Sequence, residues 1–191
     1  MKSVGAALAV VALLAGVAML AYARWTDDLH RADEALAAGR LEEALAGYKA
    51  ASLRFDRTPA ARQMFTGDYD RTVATHLWVL YRLKRYDETI ELAERAPVAA
   101  LPHFWSGCAF FQKAVVEEKP DTRLGWLSMA EEEFRKAVEA TPDDWDTKYD
   151  FELVTRLAAE LRKQPKTPPN QLMQLLRPQP KAGAKPARRV G

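Results

Sequence analysis

One cysteine, Cys108, stands among 191 residues, so neither an intramolecular disulfide nor a cysteine-built metal cluster is available. Histidine is almost as scarce. His30, His76 and His103 are too far apart in sequence to make a helical metal pair, none has the HExxH spacing, and each reads as a surface or groove side chain. Asp143, Asp144 and Asp146 crowd one short stretch, yet no glycine turn or twelfth-position glutamate completes a cation loop, and helix capping is the simpler use for them. A nucleophilic cysteine needs a base beside it and a lowered pKa. Cys108, next to Gly107 and close to Phe110-Phe111, reads instead as a small buried side chain. No glycine-rich phosphate loop occurs. No catalytic residue, metal or cofactor is therefore expected. An enzyme built on helices without a recognisable motif stays only as the rival to a binding protein.

Charge is missing in two different ways. Residues 4–23, VGAALAVVALLAGVAMLAYA, carry none at all, and as a helix they span about 30 Å, the thickness of a bilayer core. Trp25 follows, where an aromatic belt residue belongs. The segment 1–24 is thus expected to be a transmembrane anchor. The alternative is a cleaved signal peptide, because Ala21-Tyr22-Ala23 has the small-x-small form of a cleavage site, although the run is longer than the usual apolar core of about 7–15 residues. Lys2 before the run, set against Arg24 and Arg31 after it, gives the expected orientation: a single pass through a bacterial inner membrane with the soluble part periplasmic. The other deficit is acidic. From Arg162 to Gly191 there are eight Lys or Arg and no Asp or Glu, which with a net charge of +2 overall leaves −6 on the preceding 161 residues.

What is present is helical periodicity with small residues at fixed places. LEEALAGYKAA (41–51) and LSMAEEEFRKAVEATP (127–142) both set an alanine, an aromatic four residues on, and an alanine three further: Ala44–Tyr48–Ala51 and Ala130–Phe134–Ala137. YDETIELAERA (86–96) repeats the offsets with Thr89, Ala93 and Ala96, and Pro142 follows Ala137 by five residues. This pattern resembles the second helix of a tetratricopeptide repeat. The resemblance implies an all-α fold, a short solenoid of about three helix pairs closed by a capping helix, in which small residues let paired helices approach and the aromatic fills the space between pairs. One folded unit, 25–163, is expected.

Along that unit, helices are expected over 25–38, 41 to about 54, 59–66, 70–84, 86–96, 103 to about 118 and 145–163, with breaks at Gly39-Arg40, Gly67-Asp68 and Lys119-Pro120-Asp121. Gly107 and Ala130 are eleven residues further apart than a standard pair allows, so the third pair must be long. In the last helix Tyr149, Leu153, Leu157 and Leu161 form the apolar stripe expected to cover the end of the stack. From Gln164, six of the eleven prolines and no acidic residue predict a disordered tail, 164–191.

Residues 130–157, AEEEFRKAVEATPDDWDTKYDFELVTRL, also resemble the end of the anchored repeat proteins that accompany MoxR-type AAA ATPases and von Willebrand A-domain proteins, the MxaK-like group. Pro142, Trp145, Asp146, Lys148, Tyr149 and Glu152 hold the matching places, while Asp150 and Phe151 depart from the usual asparagine and leucine. The resemblance implies a scaffold or adaptor that helps assemble or activate a client complex, with a protein or peptide partner. In tetratricopeptide repeats the concave face is lined from the first helices, which here gives Trp78, Tyr81 and Arg82 and then Phe104 and Phe111. Aromatics with an arginine are the stuff of binding hot spots, and a short stack closing on itself would bury the same residues as core.

Two uses of the tail stay open. Lys166, Arg177, Lys181, Lys185, Arg188 and Arg189 suit an anionic lipid surface at about 1 kcal/mol per charge, and equally suit a solvated tail. NQLMQLLR (170–177) gathers Leu172, Met173, Leu175 and Leu176, either as a docking helix for a partner or as a segment folding back on the body. The tail has no aromatic residue to stack bases, so nucleic acid is not an expected partner.

Overall fold

In a computed structural model the chain is described over residues 2–163, without the side chains of 2–10 and 21. The expectations for the tail, Leu172, Met173, Leu175 and Leu176 included, lie outside the described residues. Among these the fold is all-helical: α1 (Lys2–Ala37), α2 (Leu41–Arg57), α3 (Pro59–Met64), α4 (Thr66–Arg82), α5 (Tyr86–Ala93), α6 (Pro102–Val116), α7 (Pro120–Ala140) and α8 (Trp145–Lys163), with a 3₁₀ turn at Val98–Ala100. Each helix packs on its neighbour in the chain, with α3 as a short step between α2 and α4. The short links make consecutive helices antiparallel.

The small residues stand where the helices meet. Ala44, Tyr48 and Ala51 are buried on α2, and Ala130, Phe134 and Ala137 on α7. A Cβ on Gly47 would come within 2.7 Å of the Ala32 Cβ on α1, and one on Gly107 within 2.9 Å of the Phe134 ring. Thr89 takes an alanine's place on α5 without cost, because its fully buried hydroxyl donates to the Arg85 carbonyl at 3.0 Å. The first two pairs also share a turn. Gly39 (φ 73) and Lys84 (φ 60) are left-handed, and the N–H of the arginine after each reaches back to Ala35 or Leu80 O at 2.9 Å, so the last carbonyls of the first helix are satisfied. Arg40 and Arg85 then donate to Glu43 and Glu88 at 2.6 Å.

Five expectations are corrected. The first helix does not begin at Trp25: nothing between the apolar run and Arg24 stops a helix, and α1 is unbroken from Lys2 to Ala37. Gly67-Asp68 does not break the chain either, since α4 starts at Thr66 and both residues lie in its first turn, where backbone N–H groups need no intrahelical partner. α2 runs on to Arg57, and α5 ends at Ala93, three residues sooner than the pattern implied. The apolar stripe on α8 is rotated. Thr147, Val154 and Ala158 are buried, with Phe151 and Leu161 packed beside them, whereas Tyr149 is 68% exposed and Leu157 stands at the surface. Small side chains let α8 close down on α7; Tyr149 and Leu157, read as part of the stripe, lie outside the contact.

The core is in two parts. α1, α2, α4 and α5 enclose Leu29, Tyr48, Phe55, Val73, Leu77 and Leu80, while α6, α7 and α8 enclose Leu127, Phe134 and Val154. The early part of α1 belongs to neither. Val11, Leu13, Leu14, Val17, Met19 and Leu20 are each 60–75% exposed. Among the described residues no helix is long and apolar enough to cross a membrane; within the run 4–23 the side chains of 4–10 and 21 are not described.

Candidate partner-binding surfaces

The five residues expected to line one groove occupy three different settings. Tyr81 is half-buried at the joint of α4 and α6: its ring lies 5.7 Å from Trp105 and 5.9 Å from Tyr86, and Gln112 donates to its hydroxyl at 3.3 Å. Burial pushes its phenol pKa up. Phe104 meets Trp105 (5.1 Å) and Phe134 (6.1 Å) edge-on, so it joins α6 to α7. Trp78 leans on the first core with the Arg82 guanidinium 5.5 Å above its ring. Phe111, two turns on from Phe104 along α6, packs on the second core and borders a depression of about 280 Å³ shared with Leu127, Leu157 and Leu161. Tyr81 and Phe104 belong to one aromatic chain through Trp105. Trp78 and Arg82 present a cation over an indole, a surface able to take a planar or anionic group.

A different groove lies between α2 and α5 with α4 as its floor, about 320 Å³ in volume. Lys49, Arg85 and Arg95 face Glu42, Asp56, Glu88 and Glu91 around its rim. Arg85 is held by Glu88 and by Glu42 at 3.5 Å, and Arg95 by Glu91 at 3.8 Å. His76 and Ser52, both 7% exposed, form the floor, with the hydroxyl 3.5 Å from Nδ1. Burial first, then the Lys49 and Arg95 charges, push the imidazole down to about 4, so it is neutral at physiological pH. The sequence contained the parts of this groove but not their assembly, because they come from three helices and a lone histidine has no spacing to announce it.

A serine beside a histidine raises the matter of catalysis. Both residues sit inside helices, whose backbone N–H groups are already engaged and cannot form an oxyanion site there. Among the described residues no carboxylate is hydrogen-bonded to His76 to orient it. The arrangement suits recognition: a mixed-charge rim over a neutral polar floor. Cys108 is similarly unreactive, since burial and the nearby Asp150 carboxylate push its thiol up to about 12. His103 is paired with Glu133 at 2.8 Å, and Asp144 caps α8, accepting from the Asp146 N–H at 3.1 Å and the Thr147 hydroxyl at 2.6 Å.

The last candidate surface is the outer face of α8. Trp145 is 77% exposed with the Lys148 ammonium 4.5 Å from its ring, and Tyr149 follows one turn on. These are residues of the run Pro142–Glu152 that carries the narrower resemblance, and they face away from α7. Two large aromatics on one exposed helix face are uncommon on a surface with no partner. No known family model, curated protein or solved structure matches the chain.

Proposed function

We propose that the chain is a non-enzymatic, membrane-anchored scaffold of tetratricopeptide type that holds a protein partner close to a bacterial inner membrane, with its helical body on the periplasmic side. The carrying observation is α1. One unbroken helix is exposed on all sides over residues 11–20 of its apolar half and has a second half built into the body. Six large apolar side chains left in water forgo on the order of 10 kcal/mol that hydrocarbon would return, and nothing in the body covers them. Retention of the segment is favoured over cleavage by Tyr22. This central residue of the small-x-small site lies within α1, packs on Phe65 at 5.1 Å and donates to Asp68 at 3.2 Å.

The tetratricopeptide reading draws support from the buried Ala–aromatic–Ala triplets and the order of helix packing. The client is proposed to belong to a MoxR and von Willebrand A system, engaged through the face of Trp145, Lys148 and Tyr149. The test is site-specific cross-linking from residue 149 in membranes that contain the ATPase and A-domain proteins. Cross-links that disappear in Trp145→Ala, with unchanged melting temperature, are the expected result. Cross-linking indifferent to Trp145→Ala would reject this face as the client site.

A further inference from the structure

With residues 4–23 as the proposed anchor, the corner between α3 and α4 would stand at the height of the bilayer surface. Tyr22 is the penultimate residue of the apolar run, and its two contacts, ring to Phe65 and hydroxyl to Asp68, fix this corner beside it. The headgroup layer is roughly 5–7 Å deep on each side of the hydrocarbon, so whatever touches residue 22 lies in or against that layer. The chemistry of the corner fits such a place. Met64 is 75% exposed. Residues 57–67 contain Arg57 and Arg62 and no acid, on a body whose net charge is otherwise negative. Both arginines are exposed, as is Arg24 just past the run. Arg31 and Arg54 close by are committed to Asp27 and Asp28, whereas Arg62 lies over the Tyr69 ring at 4.3 Å. Of the nearest acids, Asp68 accepts the Tyr22 hydroxyl and Asp56 is exposed on α2.

We infer that this corner is a second membrane contact, specific for anionic phospholipid. Met64 enters the boundary between headgroups and acyl chains, and Arg24, Arg57 and Arg62 take lipid phosphates. The inference rests on the anchored reading above and deepens it. A helix that continues without a joint from bilayer to body, seated at a second point, fixes which side of the body faces away from the lipid.

The test uses the full chain in vesicles of phosphatidylcholine with or without phosphatidylglycerol. Cys108→Ala removes the native thiol, and a polarity-sensitive dye is placed at Met64→Cys or, as the distant reference, at Met129→Cys, which is also exposed. Circular dichroism checks that both fold. The expected result is several-fold stronger quenching at 64 than at 129 by lipids spin-labelled near the headgroup, increased by phosphatidylglycerol and reduced by Arg57→Glu with Arg62→Glu, while flotation of the chain with vesicles is unchanged. Equal quenching at 64 and 129 in a chain that floats overturns the contact and leaves the anchor standing. A chain that fails to float overturns both.

Discussion

Single side chains carry several of the structural costs, and His76 is the one that pH exposes. Its imidazole is pushed down to about 4 in the fold, against about 6.5 when unfolded. The sign follows from proton binding: between these values the unfolded chain takes up the proton and the folded one does not. The stability this residue confers is complete above about pH 6.5, and up to about 3 kcal/mol of it disappears as pH falls to about 4. His76→Gln should flatten that part of the profile, so melting temperatures of the two proteins at pH 7 and pH 4.5 should show a smaller drop for the variant. Parallel drops would place the acid sensitivity elsewhere.

Glycine decides two further residue-scale outcomes, in opposite directions. At Gly47 an added methyl meets Ala32, which cannot turn away, so Gly47→Ala should cost about 1–3 kcal/mol despite the better helix propensity. Nothing lies within 4 Å of a Cβ on Gly67 in the first turn of α4, and Gly67→Ala should be neutral or stabilise by up to about 1 kcal/mol. Denaturant midpoints of the two variants check the pair. Stabilisation at both would mean α1 and α2 are further apart than described.

For the helices, the decisive feature is which face each one buries. Ala130 is fully buried between α6, α7 and α8, and Ala46 is exposed at the rim of the α2–α5 groove. Ala130→Leu should therefore lower stability by about 1–3 kcal/mol, and Ala46→Leu by no more than about 0.5 kcal/mol, compared by thermal melts. Equal losses would refute the register of the helix pairs. The buried faces of α2 and α7 were legible because an alanine, aromatic, alanine spacing leaves one packing solution. The face of α8 was not. Residues four apart drift about 40° around a helix at each step, so Tyr149, Leu153, Leu157 and Leu161 wind off any flat contact, and the burial of Thr147 and Ala158 depends on how near α7 stands. The groove over His76 was illegible for a related reason, since its charges converge only after three helices have packed. Tyr81, Phe104 and Phe111 were expected to line one concave face, with burial as core the alternative; that Tyr81 packs at the joint of α4 and α6 and Phe104 at that of α6 and α7 has no sequence signature.

For the whole molecule, the apolar run could be read from composition alone, whereas its continuity with the body could not. The absence of a helix stop between residues 23 and 25 is a weak signal until Tyr22 is seen packed on Phe65. The result is one helix that joins the apolar run to the helical stack. The most direct test is flotation with lipid vesicles, before and after an alkaline wash, for the full chain and for a chain beginning at Tyr22, which keeps every contact of that residue with the body. The full chain should float and resist the wash, and the shortened chain should stay in the aqueous fraction with the circular dichroism of a folded helical body. A full chain that remains in the aqueous fraction, or a shortened chain that floats and resists the wash as well as the full one, would contradict the proposal that residues 4–23 anchor this scaffold in a membrane.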